Sequence, residues 1–324
     1  MCAGAELERF ESTQPQMGVP FKIIIYASDE ATATAATRAA FERIAALNDI
    51  LSDYDPHSEL RRLSQTAQGS EGARVSKDLW RVLARSQSLA RQTDGAFDVT
   101  VGPYVRLWRR ARRQKEMPSP DRLADARARV GYRLVELDEA TQHVRLLKPN
   151  VRLDLGGIAM GYAVDEALAT LRGRGITHAL IDASGDVGVG CSPPDAAGWT
   201  IGVVPLSADG TPSRRIRLKD AAVTTSGDAF QHVVIDGRRY SHIVDPRTGL
   251  GLTDRSGVTV IARDCTTADS LATAVSVLGP KAGLKLVEAT PGAAAFIVRA
   301  TDEGVETFES SRFGEYVIEE PSAE

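Results

Sequence analysis

The sequence lacks the patterns that mark several common protein classes. Three cysteines occur in 324 residues, Cys2, Cys191 and Cys265, and no C-x-x-C pair is present. A set this sparse and odd in number excludes a disulfide framework and has no zinc-site spacing. No hydrophobic run approaches the roughly 18 residues of a membrane-spanning helix. Neither G-x-G-x-x-G nor G-K-[ST] occurs, so the usual phosphate-binding loops are missing as well.

An excess of basic residues is also missing. The formal net charge is -4, from 39 Lys and Arg against 43 Asp and Glu. This balance gives no reason to expect nucleic acid as a partner. One basic cluster, RLWRRARRQK over Arg106–Lys115, is interpreted as the solvated face of a helix, because charge runs of this kind usually lie at the surface.

The first residues leave two localisations open. No signal peptide is present, but Cys2 is followed by small residues in MCAG. This pattern fits the lipid-bearing cysteine of a processed bacterial lipoprotein, which would place the protein in the cell envelope or periplasm. The alternative is a cytoplasmic protein with an incidental cysteine.

The composition, 43% hydrophobic and 25% charged, is that of a globular protein with a large core. Predicted strands and helices are mixed without a regular βαβ rhythm, which favours an α+β fold with mixed or antiparallel sheets and packed helices. We expect residues 1–16 to form an N-terminal extension that can be flexible, and 17–320 to form one domain or two intimately packed subdomains. Two strand-flanked helices, over 158–172 and 266–278, suggest an internal duplication.

One predicted helix, CTTADSLATAVSVLG, carries an acid and a hydroxyl on the same side. Asp269 and Thr273 are four residues apart and therefore share a helix face. Oxygen ligands of this kind suit Mg²⁺. Taken alone, however, Asp269 is explained as an acid in the first helical turn, stabilised by the helix dipole. Thr273 is explained as a hydroxyl bonded back to the carbonyl of Asp269.

Four further segments can carry chemistry, although each has an ordinary structural explanation. DLGG (154–157) leads into a helix whose unpaired N–H groups attract anions. TTSG (224–227) is predicted as a polar turn with donors for phosphate. His242 precedes the turn DPRTG, and GAFDVTVGP (95–103) places Phe97 and Asp98 at a predicted helix-to-strand junction.

In this order the segments resemble the ApbE family, the FAD:protein FMN transferases. The resemblance covers the chain from Met17 to about Arg299 and rests on QMG, LSDYDPHSELRRLS, GAFDVTVGP, DLGGIAMGYAVD, TSGD, SHIVDPRTG and TTADSLATAVSVLG. It implies that FAD is a substrate cleaved across its pyrophosphate, with Mg²⁺ required. FMN passes to a Thr or Ser hydroxyl of a target protein, such as a subunit of a membrane redox complex, and AMP leaves.

The resemblance also implies roles for individual residues. Flavin and adenine contacts fall on Met17, Tyr54, Ala96, Phe97, Asp98, Asp154, Met160 and Ile243. The metal position falls on Asp269, Thr273 and the carbonyl of Gly157. We further assign the phosphates to backbone donors around Thr225 and Ser226.

The acceptor hydroxyl needs a base, and His242 is our candidate because an unperturbed imidazole pKa of about 6.5 suits proton transfer near neutrality. Asp245 or Asp228 would orient His242 or replace it. Two residues depart from the family pattern. Met160 replaces a usual Lys, and Asp186 stands where Asn or a neutral residue is common. Two other functions therefore stay open: a Mg²⁺-dependent FAD pyrophosphatase and a non-catalytic flavin-binding protein.

Overall fold

A computed structural model describes residues 7–66, 72–203, 206, 214–227, 232–301 and 303–318. The strands are β1 Glu8–Gln16, β2 Val19–Ala27, β3 Ala73–Arg74, β4 Val135–Asp138, β5 His143–Leu146, β6 Ala179–Ala183, β7 Asp186–Val189, β8 Trp199–Val203, β9 Arg214–Leu218, β10 Ala221–Gly227, β11 His232–Ile235, β12 Arg238–Ser241, β13 Ser256–Ala262, β14 Ala294–Thr301 and β15 Gly304–Glu309. The α-helices are α1 Glu30–Leu51, α2 Glu59–Thr66, α3 Lys77–Gln92, α4 Gly102–Gln114, α5 Pro120–Arg127, α6 Ala159–Gly173 and α7 Cys265–Ala289. Short 3-10 helices cover Val99–Val101, Tyr132–Leu134 and Phe313–Tyr316.

The centre of the fold is an eight-stranded sheet in the order β1-β2-β6-β7-β10-β13-β14-β15. Neighbouring strands in it are antiparallel, which confirms the α+β prediction. In β2, Phe21, Ile23 and Ile25 lie on one face and pack in the main core with residues of α1, α6 and α7. Ile24 and Tyr26 lie on the other face, in a second core that includes Trp199 and Phe313. This alternation follows from the two-residue side-chain period of a strand.

The predicted N-terminal extension is wrong for residues 8–16. They form β1 and pair with β2 along its whole length, from Glu8 opposite Ala27 to Gln16 opposite Val19. The hairpin turn is Met17-Gly18, and both residues have positive φ, 49° and 84°. Two such residues make the type of tight turn that fits the twist of paired strands. Met17 therefore owes its position to this hairpin.

Helix α7 is broken in the middle. Gly279 has φ 75° and ψ 175°, and Pro280 follows it. A proline cannot donate the backbone hydrogen bond that a continuing helix needs, so the chain restarts as a second helical segment. The first segment corresponds to the helix predicted over 266–278. In the described part of the chain, no helix has the length and apolar character required to cross a membrane.

Candidate active site

Helices α6 and α7 meet at their N-terminal ends with almost no space between their backbones. A Cβ atom on Gly161 would lie 2.3 Å from the carbonyl oxygen of Cys265 and 2.9 Å from Cβ of Asp269. One turn earlier, a Cβ on Gly157 would lie 2.8 Å from Oγ1 of Thr273. Two glycines therefore allow the close approach that brings Gly157, Asp269 and Thr273 together. These are the three residues that the sequence assigned to a metal.

The start of α7 corrects the simpler explanation of Asp269. The helix begins at Cys265, and Asp264 is its N-cap, accepting from the backbone N–H of Thr267 at 2.8 Å. The carboxylate of Asp165 on α6 accepts from the backbone N–H groups of Cys265 and Thr266 at 2.8 and 2.9 Å. The helix N-terminus is thus already occupied by two acids. Asp269 lies beyond the first turn, so a dipole-stabilised end position does not account for it.

Asp269 is 6% exposed and accepts one hydrogen bond, from the backbone N–H of Gly161 to Oδ2 at 3.1 Å. Burial, followed by the negative charge of Asp186, raises the pKa of Asp269 well above its usual value. Among the described residues, no three His, Cys, Asp or Glu side chains are grouped as a metal site. A metal here would therefore need hydroxyl and carbonyl oxygens as well, and Thr273 and Gly157 carry such atoms. This donor set of oxygens fits Mg²⁺.

A second polar group forms around Arg109, for which the prediction of a solvated helix face was wrong, although Arg106, Arg110 and Arg113 are exposed as predicted. Arg109 belongs to the cluster interpreted as a solvated helix face, yet its side chain is only 20% exposed. Its guanidinium bonds to Asp53 at 2.7 Å and Asp154 at 3.2 Å. It also lies 3.9 Å from the ring centroid of Tyr54, whose own side chain remains 75% exposed. An exposed aromatic ring held by a cation is a surface on which a flat ligand ring can stack.

Sequence reasoning missed Arg109 because a run of six basic residues hides the one that points inward. The available signal was helical spacing, since Tyr104, Trp108 and Ala111 mark the buried side of α4. Arg109 is adjacent to that side. Burial and the charge of Asp53 together raise the pKa of Asp154 to about 6, against the opposing effect of Arg109. Its carboxylate also accepts from the N–H of Gly156 at 2.9 Å, which ties this group to the start of α6.

The GAFDVTVGP segment is buried but does not lead into a strand as predicted. Asp98 accepts from the N–H and hydroxyl of Thr100, at 2.8 and 2.7 Å, and so starts a 3-10 helix that continues into α4. Phe97 belongs to the main core. Ala96 packs with Ile243 and Val277 in a small separate cluster, which joins two of the predicted flavin contacts. The segment also contacts DLGG directly, because the N–H of Asp154 donates to the carbonyl of Val99 at 2.8 Å.

The predicted polar turn at TTSG is wrong. Thr224, Thr225 and Ser226 lie in β10, an interior strand of the main sheet between β7 and β13. The hydroxyl of Thr225 is 2.9 Å from that of Thr259 on β13. Hydroxyl-rich residues suggested a turn, but the sheet pairs them instead. A phosphate contact by Thr225 or Ser226 stays a prediction, and it would have to come from the end of a strand.

His242 follows strand β12 and is half-buried. Backbone hydrogen bonds hold the two sides of the loop around it together. The N–H of Ser241 donates to the carbonyl of Leu252, and the N–H of Asp245 donates to the carbonyl of Leu250. The indole of Trp108 holds the loop by donating to the carbonyl of Gly249 at 2.9 Å.

Both carboxylate oxygens of Asp245 accept from Arg247, at 2.9 and 3.0 Å, so its predicted role toward His242 stays a prediction. Asp228, the other acid predicted to act with His242, lies outside the described residues. Met160 is half-buried in the first turn of α6 and packs against the main core.

The arrangement of helices, sheet and site defines a family. The model of the ApbE family matches residues 17–297 of this chain. The FAD:protein FMN transferase of Vibrio cholerae is 32% identical over 320 residues, covering 97% of this chain and 95% of that protein. The FAD:protein FMN transferase of Haemophilus influenzae is 32% identical over 296 residues, covering 88% and 85%.

Solved structures agree with this assignment. The flavin transferase ApbE from Vibrio cholerae superposes with a TM-score of 0.85 at 31% identity, covering 96% of this chain and all of that one, 100%. The ApbE protein from Thermotoga maritima gives the same TM-score of 0.85 at 31% identity, again covering 96% and 100%. This chain belongs to the ApbE family, and the family predicted from its sequence is confirmed.

Proposed function

We propose that this protein is an FAD:protein FMN transferase that requires Mg²⁺ and transfers FMN to a Thr or Ser hydroxyl of a target protein. The names of its curated relatives support the transferase activity. The observation that carries the finer proposal is the junction of α6 and α7, where two glycines bring Asp269 and Thr273 beside Gly157. The family resemblance assigns these three residues to one metal.

Asp269, Thr273 and the carbonyl of Gly157 would hold the magnesium. When bound there, Mg²⁺ would offset the negative charge of the FAD pyrophosphate and of the leaving AMP. Helix α6 starts at Ala159 without a capping bond from Ile158. The N–H groups of Ala159 and Gly161 already donate to Leu155 and Asp269, so an anionic phosphate would bind to the remainder of the first turn. Tyr54, supported by Arg109, offers a flat surface for one of the two ring systems of FAD.

The transfer step converts the phosphoanhydride bond between the FMN and AMP halves of FAD into a phosphoester bond to the target protein. The hydroxyl oxygen of the acceptor forms a bond to the FMN phosphorus, and the bond from that phosphorus to the AMP oxygen breaks. His242 accepts the hydroxyl proton. The loop that carries it is held by Trp108 and by its own backbone hydrogen bonds, which keeps the imidazole in a defined place for this role.

A product assay tests the proposal. Purified protein is incubated with FAD, Mg²⁺ and a domain of a membrane redox subunit carrying an acceptor Thr, and AMP and flavin-labelled target are measured. Transfer predicts equal amounts of both, and loss of both in a chelator. AMP and free FMN without a target would instead indicate a pyrophosphatase, and FAD that stays intact would indicate a non-catalytic flavin-binding protein.

Asp269→Asn tests the metal ligand, with Asp264→Asn as the matched control on the same helix. Asp264 is the N-cap, and Asn caps a helix about as well as Asp. We expect Asp269→Asn to lower the transfer rate by about 100-fold or more, because several kcal/mol of charge stabilisation are lost. Asp264→Asn should stay within about twofold. Equal rates in both variants would contradict the assignment.

Localisation in the cell envelope is a second part of the proposal, and it rests on the sequence around Cys2. Cys2 lies outside the described residues. If Cys2 is lipidated, mass spectrometry of the membrane fraction will detect an acylated N-terminal peptide. Recovery of unmodified protein from the cytoplasm would favour the alternative localisation.

A further inference from the structure

A half-buried carboxylate at the start of strand β7, that of Asp186, has no role in the function proposed so far. Asp186 begins β7, and it lies directly opposite Thr224 on β10 and Ala183 on β6. The side chain of Thr224 lowers the pKa of Asp186, against the rise that burial causes. One oxygen of Asp186, Oδ1, is buried and finds no hydrogen-bond partner among the described residues. A buried oxygen without a partner is costly, about 1–3 kcal/mol and more for a charged group.

Asp186 points toward the helices. On the same strand, two residues further, a Cβ on Gly188 would contact Val164 and Leu168 of α6, so this side of β7 faces α6. The hydroxyl of Thr224, which lies opposite Asp186, is 3.9 Å from Sγ of Cys265, one helical turn before Asp269. The charges of Asp186 and Asp165 raise the pKa of Asp269, and Asp182, opposite Lys22 on the other face of the sheet, raises that of Asp186. Burial raises the pKa of the Cys265 thiol, and the negative charges of Asp186, Asp165 and Asp269 raise it further.

Two carboxylates that converge inside a protein need either a shared proton or a bound cation. A proton would satisfy one oxygen, but it would leave the convergence with Asp269 unexplained. Oδ2 of Asp269 accepts from the N–H of Gly161, and its other oxygen accepts no hydrogen bond from the described residues. Thr273, one turn further along α7, packs against Gly157.

We propose that Asp186 is a second carboxylate of the cation site, and that it acts with Asp269 on a divalent metal either directly or through one bound water. This inference rests on the magnesium site proposed above. It assigns a role to a residue that the family resemblance marks only as a departure. A divalent cation there would also give the unpartnered Oδ1 of Asp186 a partner of opposite charge.

Metal binding is measured on the ligand-free protein by titrating Mn²⁺ and following the free ion by electron paramagnetic resonance. Asp186→Asn keeps the shape and removes the charge. Asp182→Asn makes the same change on the next strand, where the carboxylate already accepts from the N–H of Gly185 at 3.2 Å. We expect Asp186→Asn to bind Mn²⁺ about tenfold more weakly, and Asp182→Asn to differ from wild type by less than about twofold.

A stability measurement separates this role from a structural one. In a chelator, Asp186→Asn should melt above wild type, because an uncompensated buried charge has been removed. Added Mn²⁺ should raise the melting temperature of wild type more than that of the variant. If Asp186 serves only to pair with Thr224, the variant will melt below wild type and gain as much from Mn²⁺ as wild type does. Asp186→Ser provides a second neutral variant if the first does not fold.

Three outcomes distinguish the inference from the function on which it rests. Weaker binding in both Asp186→Asn and Asp269→Asn supports both. Weaker binding in Asp269→Asn alone, with Asp186→Asn equal to wild type, overturns the role of Asp186 and keeps the proposed metal site. Wild type that does not bind Mn²⁺ at millimolar concentrations overturns both metal assignments, while the product assay still decides whether FMN is transferred.

Discussion

The closest backbone contact in the candidate site offers a test that changes none of its polar groups. Gly161 lies in α6, and a Cβ there would be 2.3 Å from the carbonyl oxygen and 2.6 Å from the carbonyl carbon of Cys265. Both atoms belong to the backbone of α7, so no side chain can rotate away. Gly161→Ala must therefore push the two helices apart, by about 1 Å if the new methyl group is to reach ordinary van der Waals contact.

Two consequences of different size follow. Overpacking of this kind costs about 1–3 kcal/mol, and the higher helix propensity of Ala returns about 1 kcal/mol, so the net loss of stability should be about 2 kcal/mol or less. The effect on activity should be larger. The same movement lengthens the 3.1 Å bond from Gly161 to Asp269 and separates Gly157 from Thr273. A misplacement of about 1 Å can lower a rate by about 100-fold.

Gly173→Ala is the matched control in the same helix. A Cβ there meets no atom within 4 Å, and helix propensity alone should make that variant slightly more stable. Melting temperature, Mn²⁺ affinity and FMN transfer are measured for both. We expect Gly161→Ala to lose about 100-fold in transfer with a small fall in melting temperature. If it transfers FMN as fast as Gly173→Ala, the close contact of α6 and α7 does not position the site, and the reasoning is refuted.

Two further predictions concern the buried charges. Arg109→Met removes the cation between Asp53 and Asp154 and should cost about 3–5 kcal/mol, whereas Arg110→Met on the exposed side should be nearly neutral, as denaturant titration will show. Burial raises the pKa of Asp154 and of Asp165 from 3.8 to about 6, so the folded state keeps protons that the unfolded state has released. The free energy of unfolding in a chelator should therefore fall as pH rises from about 4 to about 6, by up to about 3 kcal/mol for Asp165. Stability that stays flat or increases across this range would contradict the prediction.

Local patterns predicted much of the fold. The run FKIIIYA, the spacing of Ala40, Ile44, Leu47 and Leu51, and the break at Gly279-Pro280 each report a period or a backbone restriction that the residues carry themselves. Strand β2, helix α1 and the two segments of α7 lie at these places. The exposed strand β1 has no such pattern, because its residues are largely polar and its pairing with β2 decides its conformation.

The residues of the candidate site also divide into those that the sequence predicted and those that only the fold places. The motifs placed Asp269, Thr273 and Gly157 together through the family resemblance, and the structure brings them to one junction. Arg109 and the strand position of Thr225 were not predictable locally. A basic residue in a basic run looks exposed, and a hydroxyl-rich segment looks like a turn, until the surrounding elements are known.

By itself the sequence determined the elements whose period or turn chemistry is local, and the set of motifs that identifies the ApbE family. Tertiary structure alone decided which charges meet. Gly161 and Asp269 are 108 positions apart, and Asp165 and Cys265 are 100 apart, yet each pair shares a hydrogen bond. Burial and the neighbourhood of other acids then set the protonation of Asp269 and Asp186. These quantities depend on distance in space, and spacing along the chain does not encode it.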